Sequence, residues 1–208
     1  QIQANDITGH NSSLVASGER GIGFSPDGLK WQPTDVTTYA RDVVWTGREY
    51  LALVDNSIFG SADGINWREL TVSGTRKPIT TLIQLENLTV ALGPWGEILT
   101  TNDGRSWTSA PQVTTEYLHS AALFKNTIYV VGKRGTILSG TIDYSPIVHE
   151  QNIMPGDNYL LSRRALQAGA SNNADILVVV GDSGTIRTSE NGQDWHCVPS
   201  ITSQTLRD

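Results

Sequence analysis

Five successive units of about 40 residues, each with short apolar stretches separated by turn residues, predict an all-β chain folded as a β-propeller of four-stranded antiparallel blades. Four of the units carry a motif of the form Ser/Thr-x-Asp/Asn-Gly-x-x-Trp, and all five have an isoleucine at the matching place. Those isoleucines, at positions 22, 58, 98, 137 and 186, are 36, 40, 39 and 49 residues apart. A ring that closes at five blades is favoured, and part of a larger propeller is the alternative.

The recurring motif is expected to form a β-hairpin. In Ser25-Pro26-Asp27-Gly28, the proline presets a type I turn, and the glycine supplies the left-handed residue that closes a three-residue hairpin. The hydroxyl and the carboxyl or amide oxygen can bind nearby backbone groups, and the tryptophan adds a large apolar body. We interpret the motif as a structural staple made of Ser25, Asp27 and Trp31; Ser61, Asp63 and Trp67; Thr101, Asp103 and Trp107; and Ser189, Asn191 and Trp195.

The motif resembles the Asp-box (BNR) repeat of sialidases and many other β-propeller proteins, and it is similar to the repeats of the photosystem assembly factor family Ycf48. Both families usually carry one more residue between the aspartate and the tryptophan, so this version is shortened. The resemblance implies the propeller architecture. It says little about function, because one fold supports many unrelated activities.

The blades are predicted within a single domain at residues 1–36, 37–74, 75–113, 114–158 and 159–208. The first blade starts near residue 6, because Asp6 stands 19 residues before Ser25 just as Asp42 stands 19 residues before Ser61. The second blade has the clearest pattern and the third repeats it. Their strands are expected at 42–45, 50–54, 58–61 and 65–69, and at 79–85, 88–92, 97–101 and 105–109.

The fourth blade departs from the pattern after strands expected at 118–124, 127–131 and 136–139. Ile142 and Pro146 stand where the aspartate and tryptophan belong, so its hairpin has decayed. The segment 144–159 is longer than the other connections, which is more typical of functional or mobile loops. The fifth blade is expected at 164–169, 176–180, 185–188 and 193–198. Its tail, 204–208, resembles 38–42, so it either completes the first blade or marks a chain cut from a longer propeller.

The second strands are expected to supply the core between blades through Leu51, Leu53, Val90, Leu92, Val130, Val131, Val178 and Val180. The turns from second to third strands keep one frame while their two central residues vary, as in a binding surface or in a surface under no selection. Trp95 is hard to bury between two glycines and could stack on a sugar ring or anchor a partner protein. The candidate ligand-binding residues are Arg20, Asp55, Trp95, Lys133, Arg134 and Asp182.

Composition argues against several classes of protein. The net charge of −6 gives no basic surface for nucleic acid, and no apolar run reaches the roughly 18 residues of a membrane span.

The single cysteine, Cys197, forms no disulfide framework or metal-ligand spacing, and we expect it to be buried and inert. The aspartate hairpins lack the spaced carboxylates of a calcium site, so neither a metal nor a cofactor is expected. Richness in small polar residues favours an exported, extracytoplasmic protein.

Catalysis is not expected. The resemblance to sialidases would imply an arginine trio, a Tyr–Glu nucleophile pair and an acidic group, yet the first blade has no Arg-Ile-Pro-type segment. A retaining glycosidase needs two carboxylates about 5 Å apart. Asp55 and Asp182 could approach across a ring, but their spacing does not require it. The histidines at 10, 119, 149 and 196 are scattered without a nucleophile signature, so each is expected to be structural or exposed.

The sequence therefore predicts a monomeric binding module that recognises a glycan or a protein through the turns of one propeller face. The resemblance to Ycf48 implies an alternative, a protein-assembly scaffold, which a charged patch of Arg41, Arg134, Arg163 and Arg164 would favour. A sialidase-like glycosidase is a third hypothesis, and it requires an acidic pair and an arginine cluster at the central channel.

Overall fold

The structure, a computed structural model, describes residues 4–72, 78–141, 149–151, 165–172, 175–200 and 202–207. These residues form five four-stranded antiparallel sheets, and the strands of each sheet pair in the order in which they follow along the chain. The sheets are the blades of a β-propeller, so the predicted fold class is confirmed.

Each blade has three longer strands followed by a short fourth strand. Blade by blade, the strands are β1 (Ala4–His10), β2 (Ser13–Gly18), β3 (Gly21–Ser25) and β4 (Gln32–Pro33); β5 (Ala40–Trp45), β6 (Tyr50–Val54), β7 (Ser57–Ser61) and β8 (Arg68–Leu70); β9 (Thr81–Leu85), β10 (Leu88–Leu92), β11 (Ile98–Thr101) and β12 (Thr108–Ser109); β13 (Leu118–Phe124), β14 (Thr127–Gly132), β15 (Ile137–Thr141) and β16 (His149–Gln151); and β17 (Leu166–Ser171), β18 (Leu177–Gly181), β19 (Ile186–Ser189) and β20 (His196–Cys197).

The chain forms two compact units. The first unit consists of Gln1–Ala91 and Leu99–Ser109, and it holds blades 1 and 2 and most of blade 3. The second unit consists of Leu92–Ile98 and Ala110–Asp208, and it holds blades 4 and 5 together with the turn that follows β10.

The core of the first unit lies on both faces of the second strand of blade 2. All five residues of β6 are buried, which suits a continuous apolar run because neither face of the strand meets water. Alternate residues then belong to different clusters, since successive side chains point to opposite faces. Tyr50 packs with residues of blade 1, including Val15, whereas Leu51 packs with residues of blade 3, including Leu99.

The core of the second unit lies between blades 4 and 5. It includes Phe124 and Tyr129 from blade 4 with Leu177 and Val179 from blade 5. For blade 5 the sequence predicted that Val178 and Val180 belong to the core. That prediction is shifted by one residue along β18 from the residues that the structure buries. Val178 and Val180 are only half-buried, because the pleat of β18 turns Leu177 and Val179 toward blade 4 and their neighbours to the opposite face. The six other core residues predicted in second strands are buried.

In the blades that carry the motif, the fourth strands are shorter than predicted, because each begins only after the motif tryptophan. In blades 2, 3 and 5 they begin at Arg68, Thr108 and His196, not at 65, 105 and 193. Blade 4 has a fourth strand without the motif, since β16 pairs with β15 and Gln151 stands opposite Ile137. The remaining residues of the predicted long loop, 144–148 and 152–159, lie outside the described residues.

The recurring motif forms the same turn hydrogen bonds in all four copies, and we call these four hairpins the repeat turns (residues 25–31, 61–67, 101–107 and 189–195). In the second of them the Ser61 hydroxyl accepts the N–H of Gly64 at 2.9 Å and donates to Asp63 Oδ1 at 3.0 Å. The same Oδ1 accepts the N–H groups of Ile65 and Asn66 at 2.9 and 2.8 Å. Those two N–H groups are therefore unavailable to a sheet, which explains the late start of the fourth strand.

The glycine of each repeat turn is left-handed, with φ between 74° and 76°. In blade 2 it also lies against the neighbouring blade, because a Cβ on Gly64 would stand 2.8 Å from a methyl group of Val15 in β2. Gly104 faces Leu51 in the same way, and Gly192 faces the Tyr129 hydroxyl. In blades 2, 3 and 5 the repeat turn therefore holds its own hairpin and packs on the second strand of the preceding blade.

The motif tryptophans do not all pack alike. Trp67 and Trp107 are buried in the core clusters of the first unit, and Trp195 packs against the core of the second. Trp31, by contrast, is 37% exposed, although the sequence predicted an apolar staple in all four hairpins. The turn bonds of Ser25 and Asp27 form without it, so the tryptophan is not needed to close the hairpin.

Candidate functional site

Three turns of the second unit share one tight conformation at the junction of second and third strands. In each, the N–H of the fourth residue is donated to the carbonyl of the first, as from Glu97 to Pro94 at 3.3 Å and from Thr136 to Lys133 at 3.1 Å. The two central residues are left-handed, which defines a type I′ turn. The first central residue is Trp95, Arg134 or Ser183, with φ of 55°, 54° and 54°, and the second is always glycine.

Tryptophan and arginine are poorly suited to this position. A type I′ turn prefers asparagine, aspartate or glycine at its first central residue, because the left-handed conformation costs other residues about 1–2 kcal/mol. Trp95 nevertheless occupies it and is 54% exposed. Arg134 is also exposed. Both residues therefore have the conformational cost of the left-handed region, and their exposed side chains gain no stabilisation from burial that would offset it.

The linker 112–116 connects two of these turns. Gln112 donates its side-chain amide to the Trp95 carbonyl at 2.8 Å, and Gly96 donates its N–H to the Glu116 carbonyl at 2.8 Å. Glu116 in turn pairs with Arg134, whose Nη1 lies 3.1 Å from the carboxylate. Trp95 and Arg134 thus belong to one hydrogen-bonded surface.

Blades 4 and 5 each have a β-bulge near the start of their first strand, and the bulged residues add polar side chains to those of the turns. The register of β13 and β14 shifts between Leu118 and Ser120, and that of β17 and β18 shifts between Leu166 and Ala168. The extra residues are His119 and Gln167, and the bulges of the first unit occur at the equivalent residues Asn5 and Arg41. Bulges change the direction of a side chain, and they are common beside binding sites.

The two bulge residues of the second unit lie among aromatic and charged groups. The His119 ring stacks on Tyr117 with centroids 4.9 Å apart, and the Lys133 ammonium lies 5.3 Å from the centre of the Tyr117 ring. Gln167 donates to Asp182 Oδ1 at 3.1 Å. Together with the linker they form what we call the turn surface, which consists of Trp95, Gln112, Glu116, Tyr117, His119, Lys133, Arg134, Gln167 and Asp182.

His119 is held neutral at physiological pH. Burial lowers the pKa of His119 first, the positive charges of Lys133 and Arg207 lower it further, and Asp182 opposes them. Its Nε2 is buried and has no hydrogen-bond partner among the described residues. His119 therefore adds no positive charge beside the Lys133 ammonium.

Four of the six predicted ligand-binding residues, namely Trp95, Lys133, Arg134 and Asp182, belong to this surface. Arg20 and Asp55 lie at exposed turns of the first unit, and the backbone N–H of Asp55 is donated to the Tyr39 carbonyl at 3.0 Å. Of the arginine patch that would favour a scaffold, Arg41 belongs to the first unit and Arg134 to the second. Arg163 and Arg164 lie outside the described residues.

Sequence reasoning missed the bulge residues and the linker. It treated His119 as one of four scattered histidines, and it gave no role to Glu116, Tyr117 or Gln167. The available signal was a polar residue at the start of each first strand in place of the apolar alternation. That signal is weak, because a bulge is defined by pairing with another strand.

Among the described residues, no helix has the length and apolar character needed to cross a membrane. The same residues contain no group of three or more histidines, cysteines or acidic residues arranged to hold a metal ion.

The prediction that Cys197 is buried is wrong. The residue is exposed in β20, because this short edge strand presents both of its side chains to solvent. We therefore expect Cys197 to react with Ellman's reagent in the native protein, since the residue is exposed and is not part of a disulfide. Counting the thiols modified without and with denaturant tests this. A reaction that requires denaturant would contradict it, and a Cys197→Ser variant provides the blank.

No family model and no curated protein matches the chain. Among solved structures, a Ycf48 protein bound to a D1 peptide is 17% identical, with a TM-score of 0.69 over 94% of this chain and 66% of that one. Virginiamycin B lyase from Staphylococcus aureus is 12% identical, with a TM-score of 0.76 over 96% and 70%. An ancestral GH74 enzyme is 14% identical, with a TM-score of 0.70 over 95% and 31%. At these identities the similarity shows the fold alone.

Proposed function

We propose that the chain is a non-catalytic binding module that recognises a partner protein through the turn surface. The observation that carries the proposal is the exposure of Trp95 in a left-handed conformation that tryptophan disfavours. Tryptophan, tyrosine and arginine dominate the binding energy of protein interfaces, and all three occur together on this surface. Selection for binding explains why such residues occupy positions that folding would assign to asparagine or glycine.

The similarity to a peptide-bound Ycf48 structure supports this proposal, because it gives a propeller of similar fold with a peptide as ligand. A role as a protein-assembly scaffold, and classification of the repeat turns as shortened Asp-boxes, belong to the same proposal. Arg134 and Lys133 favour partner segments that combine an apolar anchor for Trp95 with acidic groups. The expected location outside the cytoplasm remains part of the proposal.

The alternative ligand is a glycan, since a sugar ring can stack on an exposed tryptophan. A sialidase-like glycosidase is less well supported. Retaining hydrolysis requires two carboxylates about 5 Å apart, and on the turn surface the Glu116 carboxylate is paired with Arg134 while Asp182 accepts from Gln167. Both carboxylates are therefore engaged in positioning neighbouring side chains.

A peptide-display selection on the purified chain, beside a glycan array, tests the proposal. We expect selected peptides to bind the native chain and to lose about tenfold or more in affinity in a Trp95→Asn variant, as for loss of a central interface anchor. Asparagine is the informative replacement because it suits a type I′ turn. The variant should therefore keep its stability or gain about 0.5 kcal/mol in urea unfolding.

Trp31→Asn is the matched control, since it removes another exposed tryptophan from the first unit and should leave peptide affinity unchanged. Equal affinity of the native chain and Trp95→Asn would contradict a site at Trp95. Glycan binding that disappears in Trp95→Asn, with no selected peptide, would replace the protein partner by a carbohydrate.

A further inference from the structure

A second surface feature lies in the first unit and is independent of the turn surface. It is a cleft of about 700 Å³ between blades 2 and 3, lined by Arg48, Glu49, Ala62, Arg68, Leu70, Asp103 and Arg105. Three arginines therefore meet around one open cleft in a chain whose net charge is −6.

Glu49 forms the floor of the cleft. Its side chain is 7% exposed, and its two carboxylate oxygens face different arginines: Oε2 lies 2.7 Å from Arg68 Nη2, and Oε1 lies 3.5 Å from Arg105 Nε. Gly60 leaves room for the carboxylate, because a Cβ there would stand 3.1 Å from Oε2. The buried carboxylate thus fixes two guanidinium groups of neighbouring blades on either side of itself.

The Glu49 carboxylate does not occupy all the hydrogen-bond donors of these two arginines. Each guanidinium has five N–H donors, and the side chains of Arg68 and Arg105 remain 48% and 71% exposed. Arg68 uses one more donor on the Gly60 carbonyl at 3.3 Å. Both arginines line the cleft and therefore keep N–H donors accessible to solvent there.

The charge of the cleft is positive. Arg48, Arg68 and Arg105 contribute three positive charges, against two negative charges from Glu49 and Asp103. The Asp103 carboxylate is directed into its own repeat turn, where Oδ1 accepts the N–H groups of Arg105 and Ser106 at 2.8 and 2.7 Å. A ligand in the cleft therefore meets arginine donors in excess over accessible carboxylate oxygens.

We propose that this cleft binds a carboxylate carried on a short aliphatic stem, as an acidic side chain of a peptide presents it. The planar fork of arginine matches a carboxylate, and Glu49 already shows how such a group lies between Arg68 and Arg105. A second carboxylate takes the outer edges of these groups and the adjacent Arg48. Leu70 and Ala62 line the same cleft and supply apolar contact for the stem.

Titration with glutarate, followed through the arginine Nε–H resonances by NMR, tests the proposal. We expect saturable shifts of the Arg48, Arg68 and Arg105 signals at millimolar glutarate. The apparent affinity should fall about tenfold or more in Arg48→Gln/Arg105→Gln, because charge-assisted hydrogen bonds are lost. Arg68 is kept in this variant so that Glu49 retains its shorter ion pair.

Lys30→Gln is the matched control, because it removes an exposed cation at a repeat turn of the same unit and should change the affinity less than twofold. The Arg48→Gln single variant, which leaves both Glu49 ion pairs intact, tests the cleft if the double variant unfolds, and it should also weaken glutarate binding. Equal affinities of the variants and the control would overturn the proposal. Sulfate that binds as tightly as glutarate would overturn the preference for a carboxylate, and an acidic peptide that shifts no arginine signal would overturn the peptide source.

Discussion

Replacing Gly64 by alanine is expected to lower the free energy of unfolding by about 2–4 kcal/mol, because two costs add at one position. The residue is left-handed at a φ of 76°, which an alanine adopts only with strain. A Cβ would also stand 2.8 Å from the Val15 methyl and 3.1 Å from the Phe24 ring. Both neighbours belong to the core between blades 1 and 2, so neither can move without disturbing it.

The matched control is Gly47→Ala in the same blade. Gly47 is also left-handed, at a φ of 87°, but a Cβ there meets no atom within 4 Å. We expect this change to cost only the backbone strain, about 1 kcal/mol. Urea unfolding of the two variants separates the conformational cost from the packing cost. Equal losses would contradict the conclusion that the repeat turn packs on the preceding blade.

Loss of stability in acid is the second large effect that we expect. The pKa of Asp63 is lowered chiefly by the N–H of Asn66, and that of Asp103 chiefly by the N–H of Ser106. A carboxylate whose pKa is lower in the folded state stabilises the protein above its unfolded pKa, near 4, and this stabilisation is lost as the pH falls through the folded pKa. The urea midpoint should therefore decrease steadily below about pH 4.

Asp63→Asn and Asp103→Asn together should flatten this dependence. The fourth repeat turn shows that asparagine closes the same hairpin, since Asn191 Oδ1 accepts the N–H groups of Gln193 and Asp194 at 2.8 Å each. At pH 7 we expect the double variant to be about 1–2 kcal/mol less stable than the native chain, because neutral acceptors bind less strongly than charged ones. As the pH falls below about 4 the difference should decrease progressively.

The measurement is the urea midpoint at pH 7 and at pH 2.5. Asp55→Asn, which removes a carboxylate outside the repeat turns, serves as the control and should keep the acid dependence of the native chain. A double variant that is as acid-sensitive as the native chain would show that other groups control acid unfolding.

The elements that the sequence predicted well depend on local chemistry. A repeat turn is specified within seven residues, and its hydroxyl, carboxyl and glycine act on their immediate neighbours. The second strands were equally clear, because runs such as the one ending at Val54 are buried on both faces. Both features recur from blade to blade, so each copy supported the interpretation of the others.

The elements that were missed depend on pairing between strands. The bulge at His119 exists only because β13 and β14 pair on both sides of it in different registers. The fourth strand of blade 4 forms without the motif, and it is specified by its partner β15. The burial of Val179 in place of Val180 follows from which face of β18 meets blade 4. None of these relations is present in a single local stretch of sequence.

The packing of each repeat turn on an earlier strand bears on how the chain acquires its structure. Val15 precedes Gly64 in the chain, Leu51 precedes Gly104, and Tyr129 precedes Gly192, each by a few tens of residues. When one of these glycines is synthesised, the strand against which it packs has already been made. Each hairpin can therefore dock as it emerges, without waiting for residues that are still to come. Because only a few tens of residues separate the two partners, the apolar strands remain unpaired for only a short time during synthesis.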